Sequence, residues 1–231
     1  MPKKLVSIVM PAYNEEKNIV AAVKEVEIVM KKSPYNFETI VVNDGSKDKT
    51  LQKARSTNAK VITYEKNKGK GGAIKVGISA AKGTFIVIQD SDLTIPAETI
   101  PNLVEKVDNG SCDACYASRL SGLAEKGAMP TYRIFGNYVL AFLLSLVTRQ
   151  ILRDAYSGQK AFKKEILKKI DLETTGWPDF EILVKSSKMG YKTKEYPVEY
   201  FKRREGASKM KNFTHGFWSL YQILKWALRS N

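Results

Sequence analysis

Four short runs rich in Val and Ile, "LVSIVMP", "FETIVVN", "KVITYE" and "TFIVIQD", recur in the first part of the chain, with a helix-length stretch between each and the next. Strands of this composition need cover on both faces, so the alternation predicts an α/β fold with a mostly parallel sheet flanked by helices. In such sheets ligands sit at the carboxyl ends of the strands. Each run is followed by a polar loop: "PAYNE", "NDGS", "EKNKGKGG" and "DSD" in turn. One edge of the sheet is therefore predicted to be a site.

Local signals fill in the connections. Asn14 is placed to cap a helix from about Glu15 to Lys32, Ser46 or Asp48 to cap the next, and Gly71 to Ala81 reads as a third. The second half is less regular. It carries an amphipathic helix across Pro130 to Val147, a strand-like "AYSGQKAF", a helix from about Pro178 to Met189 and a strand at Thr193 to Phe201. In the closing "FTHGFWSLYQILKWALR", Phe213, Phe217, Leu220, Tyr221, Leu224 and Leu228 recur at helical spacing. No repeat or linker divides the 231 residues, so a single domain is expected.

Charge narrows the function. A formal net charge of +14 implies an anionic partner: nucleic acid, a phosphorylated metabolite or a lipid headgroup surface. Nine Lys or Arg against three Glu between Lys185 and Lys211 make the C-terminal third a basic face. The two cysteines, Cys112 and Cys115, are too few for a four-ligand zinc site and read as reduced core thiols. With only one histidine, chemistry must rest on carboxylates, Lys and Arg, or a metal ion. No secretory leader is legible, and a cytoplasmic location is expected. The apolar run Ile134 to Thr148 falls short of the roughly 20 residues of a spanning helix, so it is expected to lie on a membrane rather than cross it.

Two loops carry chemistry. Asp90 and Asp92 flank Ser91 directly after a buried strand, and residues two apart on an extended segment face the same way. Two adjacent carboxylates repel unless a cation intervenes, and Mg²⁺ or Mn²⁺ on a diphosphate is an economical solution. A polar turn that caps the next helix produces the same pattern. "NKGKGGA" places backbone N–H groups before a helix, where an anion can approach. It matches neither the nucleoside-triphosphatase loop nor the dinucleotide fingerprint, because Ile74 stands where the last glycine of the latter belongs.

In their order and spacing, "VSIVMPAYNEEKNI", "VVNDGSKDKT", "NKGKGGAI", "IQDSDL", "ASRL", "DAYSGQKAF" and "GWPDFEILVKSSKMGYKTKEYPVEYFKRREGASKM" resemble the family-2 glycosyltransferases, which have the GT-A fold. The later segments look most like the dolichyl-phosphate and polyprenyl-phosphate mannose and glucose synthases. The resemblance implies that Pro11, Ala12, Tyr13, Glu15, Val42, Asp44, Asp90 and Ser91 hold the nucleotide of a uridine or guanosine diphosphate sugar. It implies Asp90 and Asp92 as ligands of Mg²⁺ or Mn²⁺. Asp92, Arg119, Arg133, Arg203 and Lys209 are then the catalytic group that faces the donor diphosphate and the acceptor phosphate. It further implies a nucleotide-binding half over 1–119, an acceptor half over 120–211 and a C-terminal amphipathic helix over 212–231. The protein is expected to be peripheral on the cytoplasmic face of the membrane, with a polyprenyl or dolichyl phosphate as acceptor. Two motif positions depart from relatives: Asn43 stands where some carry a second Asp, and Thr94 where mannose synthases often carry Gln.

Two alternatives stay open. A sugar-hydroxyl acceptor would need a general base, for which Asp179 and Glu181 are the candidates; otherwise they are expected to contact sugar or base. A basic nucleic-acid-binding protein would explain the charge. Its aromatics, however, lie in apolar runs rather than among basic residues, and no nucleic-acid partner is expected.

Overall fold

The computed structural model describes residues 3–203, 205 and 212–229. The four Val/Ile runs form β1 (Leu5–Ala12), β2 (Asn36–Asp44), β3 (Lys60–Tyr64) and β4 (Phe85–Gln89), joined by α1 (Ile19–Lys31), α2 (Thr50–Arg55) and α3 (Gly69–Ala80). A 3₁₀ turn at Ala97–Thr99 and α4 (Ile100–Asp108), which the sequence reading did not anticipate, lead to β5 (Ala114–Ser118). Then come α5 (Thr131–Thr148), β6 (Gln159–Lys163), α6 (Lys164–Lys169), α7 (Asp179–Lys188), β7 (Thr193–Pro197) and α8 (Asn212–Leu228).

All seven strands join one sheet in the order β3-β2-β1-β4-β6-β5-β7. β6 pairs antiparallel with both β4 and β5, while the other pairings are parallel. The expectation of a mostly parallel sheet therefore holds, with one reversed strand inserted between β4 and β5. The chain moves outward from β1 through β2 to β3 and then returns to the other side of β1 with β4. Crevices for ligands form at such a reversal.

The inner strands β1, β2, β4, β5 and β6 bury both faces over most of their length, whereas the edge strands β3 and β7 are largely half-exposed. Val9, Ile40, Val42 and Ile88 join the core beneath α3, α5, α7 and α8, with Phe162 and Phe180. Their neighbours Ile8, Met10, Val41 and Val87 point to the opposite core, shared with α1 and α4.

Three local expectations fail. Asn14 does not cap α1, which begins at Ile19; with φ 51° it turns the chain instead. Its side-chain oxygen accepts the Lys47 N–H at 2.9 Å and its own N–H donates to Ser46 Oγ at 3.0 Å. Ser46 is thus spent on fastening two loops together; Asp48 is not the cap of α2 either, since it stands one residue before the N-cap Lys49 and accepts the Thr50 N–H at 2.9 Å from there. β7 ends at Pro197, short of Phe201, where its partner ends: Pro197 is paired with Ser118, the last residue of β5, and the Val198 N–H donates to the Ser118 carbonyl at 3.2 Å.

Candidate functional site

A cleft of about 450 Å³ opens at the carboxyl ends of β1, β2 and β4, and all four predicted loops reach it. Pro11, Ala12, Tyr13 and Glu15 line it from the end of β1 and Asp44 from the end of β2. Asn67, Gly69 and Lys70 line it from the turn after β3, and Asp90, Ser91 and Asp92 from the turn after β4.

Asp44 is the knot of this wall. One carboxylate oxygen accepts the Tyr64 hydroxyl at 2.8 Å and the Lys68 N–H at 2.7 Å, while its carbonyl accepts the Asn67 side-chain amide at 2.8 Å. Burial and then the bond to Asp44 push the Tyr64 hydroxyl above its ordinary pKa, so it stays a donor. Gly45 next to it has φ +66°, and a Cβ there would lie 2.6 Å from the Glu65 carbonyl oxygen. Only glycine permits the loops after β2 and β3 to approach this closely.

Asp90 and Asp92 sit on a turn rather than an extended segment, with Leu93 at φ 59°, yet both line the cleft. Lys70 contacts both oxygens of Asp90, at 2.6 and 2.9 Å. Arg203 contacts Asp92 at 2.5 Å and Glu15 at 3.5 Å. Thr94 fastens the turn by donating its hydroxyl to Asp92 Oδ1 at 2.8 Å. Among the described residues no three of His, Cys, Asp or Glu converge as a metal set. A pair of carboxylates without a third fits Mg²⁺ or Mn²⁺ of the kind that takes its remaining ligands from a substrate diphosphate.

The facing wall is assembled from distant segments. Arg119 leaves β5 and forms a fork on Asp154, with Nε at 2.8 Å from one oxygen and Nη2 at 2.7 Å from the other. The Arg119 N–H and the Asn137 side-chain amide also donate to Asp154. Burial by itself would raise the Asp154 pKa; the Arg119 charge and these donors outweigh it and bring it down to about 2. The Arg119 guanidinium lies over the Tyr200 ring, 5.2 Å from its centroid. Arg133 from α5 and Trp177 complete this side of the cleft.

The floor holds Asp179, at the first turn of α7, in an ion pair with Lys160 from β6. The other predicted sites fall elsewhere. Val42 is fully buried among Val9, Ile40 and Ile74, so its side chain does not line the cleft. Glu181 is also fully buried: it accepts the N–H groups of Glu173 and Thr174 at 2.9 and 2.8 Å and pairs with Lys185 at 2.7 Å. It shapes the 173–176 loop, whose Thr175 and Gly176 carbonyls both accept the Gly71 N–H at 2.8 Å. A Cβ on Gly71 would sit 2.0 Å from the Thr174 oxygen, which explains that glycine of "NKGKGG". Lys209 lies outside the described residues.

Sequence reasoning missed Asp154, Asn137 and Lys160. The available signal was "DAYSGQKAF", where an Asp and a Lys flank and enter a strand-like run; buried charges of this kind occur only when paired.

Comparison with known proteins agrees with this geometry. The model of "Glycosyl transferase family 2" matches residues 7–171. Dolichol-phosphate mannosyltransferase of Pyrococcus furiosus is 31% identical over 230 residues, which cover 96% of this chain and 64% of that protein. The chain thus spans just under two thirds of that relative's length. Dolichyl-phosphate hexose transferase of Haloferax volcanii is 30% identical, with 91% of this chain and 88% of that protein covered. Among solved structures, glucosyl-3-phosphoglycerate synthase from Mycobacterium tuberculosis, in complex with Mn²⁺, uridine-diphosphate and phosphoglyceric acid, superposes with a TM-score of 0.75. It is 20% identical, with 99% of this chain and 80% of that chain covered, and shares the fold. A parallel sheet that reverses at β1, a strand-end cleft with paired carboxylates and a family match over most of the chain converge on one conclusion: this chain belongs to glycosyl transferase family 2 and has the GT-A fold.

Proposed function

We propose that the protein moves a hexose from a nucleoside diphosphate sugar, uridine or guanosine, to a polyprenyl or dolichyl phosphate at a membrane surface. The observation that carries this reading is the placement of the carboxylate-bearing strand-end loops and of Arg119, Arg133 and Arg203 around a single cleft. One set of groups suits a donor diphosphate; the other suits a second anion. The Haloferax and Pyrococcus relatives are named for dolichyl-phosphate sugar transfer, which supports the same acceptor.

In this reading residues 1–119 supply the nucleotide half. Pro11, Ala12, Tyr13 and Asp44 hold base and ribose, and Asp90 with Asp92 would hold Mg²⁺ or Mn²⁺. The metal, when bound, supplies charge stabilisation of the leaving diphosphate. Residues 120–211 supply the acceptor half. An acceptor phosphate monoester has a second pKa of about 6 and is already an anionic nucleophile at neutral pH, so no side chain need take its proton. Arg119, Arg133, Arg203 and Lys209 offset the repulsion between two anions and hold the acceptor oxygen in line behind the anomeric carbon. A single displacement inverts that carbon.

The membrane surface is supported by an apolar face. Tyr132, Phe135, Val139, Phe142 and Leu146 are exposed along one side of α5, beside exposed Phe217, Tyr221, Leu224 and Leu228 of α8. By length and composition α5 is the one helix among the described residues able to cross a membrane, at 18 residues. Its other side packs on α7 and α8. A helix held in this way lies along an interface with its free side in the headgroup region.

The test is a transfer assay with protein, Mn²⁺ or Mg²⁺, a short polyprenyl phosphate and a panel of labelled uridine and guanosine diphosphate sugars. Organic-extractable label from one donor, lost on chelation, is the expected result. Donor binding without lipid product would move the acceptor to a sugar hydroxyl.

A further inference from the structure

Lys160 is fully buried within the sheet, where it pairs with Ile88 of β4 and Tyr116 of β5. Its ammonium is in contact with the Asp179 carboxylate and lies 5.3 Å from the Tyr116 ring centroid. Burial first, and the Lys70 charge second, lower its proton affinity well below that of an ordinary lysine. A buried ion pair of this kind adds little stability; a well-packed apolar pair of the same volume is commonly as stable or more so. Fold stability therefore gives no reason for a lysine here. What the pair does accomplish is placement: Asp179, though almost wholly buried, lines the cleft.

We infer that Lys160 is a positioning residue that holds Asp179 at the floor of the cleft, where the Asp179 carboxylate accepts hydrogen bonds from hydroxyls of the donor sugar. This rests on the glycosyl-transfer reading above and adds to it a group that reads the sugar rather than the nucleotide. The geometry supports it from two directions. Lys160 enters the sheet beside Ile88, two residues before Asp90, so its side chain sits next to the strand end from which the diphosphate-facing turn departs. Asp179 opens α7 two residues after Trp177, which also lines the cleft, and the Trp177 ring meets Trp218 of α8 edge-on at 6.3 Å. A carboxylate beside an indole face is a usual surround for a sugar ring, because hydroxyls need acceptors and the ring C–H face needs an apolar wall.

The experiment compares the binding of a nucleoside diphosphate with that of the corresponding nucleotide sugar by calorimetry. It uses wild type, Lys160→Met, Lys160→Gln and Asp179→Asn, with uridine and guanosine ligands. In wild type the sugar should add about 10- to 100-fold to affinity, the size of hydrogen bonds to a charged group. Lys160→Met and Asp179→Asn should each lose that increment while binding the bare nucleoside diphosphate as wild type does. Their combination should lose no more than either one. Lys160→Gln, which keeps a donor to Asp179, should restore most of it. If Lys160→Met does not fold, Lys160→Met/Asp179→Leu, apolar on both sides, takes its place with the same expectation. An unchanged increment in Lys160→Met, or an equal loss of bare-nucleotide binding, would overturn the inference, as would a wild type that binds both ligands alike. Failure of wild type to bind any nucleoside diphosphate would instead overturn the glycosyl-transfer reading.

Discussion

The two walls of the cleft are built in different ways. The wall that bears Tyr13, Asp44 and Asp90 consists of loops that leave successive parallel strands, and its main knot, Asp44 with Tyr64 and Lys68, joins residues 20 and 24 apart. The wall that bears Arg119 and Arg203 is drawn from scattered segments: Arg119 is fixed by Asp154 35 residues on, and Arg203 meets Asp92 across 111. The first wall follows from the regular architecture, because parallel strands deliver their ends to one edge whatever the loops contain. The second depends on individual charged contacts, so single substitutions there should affect fold and function together.

The largest effect is expected on the first wall. Asp92→Ala removes a carboxylate from the diphosphate side and should lower kcat for transfer by about 10³-fold, with little change in melting temperature. Unchanged turnover would remove Asp92 from the machinery.

Next comes the other wall. Asp154→Asn breaks the buried fork to Arg119, and removing one partner of such a pair costs about 3–5 kcal/mol. Thermal melts should show that loss alongside the loss of activity, in contrast to Asp92→Ala. The pH dependence has a defined sign. The Asp154 pKa is depressed from its ordinary 3.8 to about 2, so its contribution to stability is complete above 3.8 and disappears as pH falls toward 2. Wild type should lose stability across that window, and Asp154→Asn should be flatter there.

A smaller and more selective effect separates the two substrates. Arg133→Ala should raise KM for polyprenyl phosphate about tenfold, the loss of one charge-assisted hydrogen bond, and leave donor affinity within about twofold. Equal damage to both would place Arg133 on the donor side. The smallest effect on chemistry is expected from Phe135→Ser/Phe142→Ser on the free face of α5, where the two rings are 72% and 62% exposed. Melting temperature and turnover on a short soluble acceptor should hold. Retention on anionic vesicles in a flotation assay should fall by about tenfold or more, since each buried Phe contributes about 1.5–3 kcal/mol.

The same contrast explains what was legible in the sequence. The Val/Ile runs fixed four strands and their common edge, since only a covered parallel sheet accommodates them, and Asp44, Asp90 and Asp92 all reach the cleft. Val42 was misjudged for the same reason that β2 was recognised: strict alternation sends every second residue into a core, and Val42 takes the side beneath α3. Glu181 was misjudged because spacing shows a carboxylate at a helix start but not that two N–H groups and Lys185 already claim it. The partners in the Arg119 fork and the Lys160 pair could not be matched from sequence because they meet only once β6 has been placed, and a reversed strand amid parallel ones leaves no mark in hydrophobic periodicity.

That reversed strand also governs when the protein can become a protein. Among the described residues β5 pairs as a strand only with β6 and β7, both made after it, and the second edge of β4 is closed by β6. A nascent chain that has left the ribosome as far as Arg119 would hold β5 with no partner and β4 with an open edge, a template for wrong pairings. The nucleotide wall is written early in the chain, but it stays provisional until translation has passed Lys163.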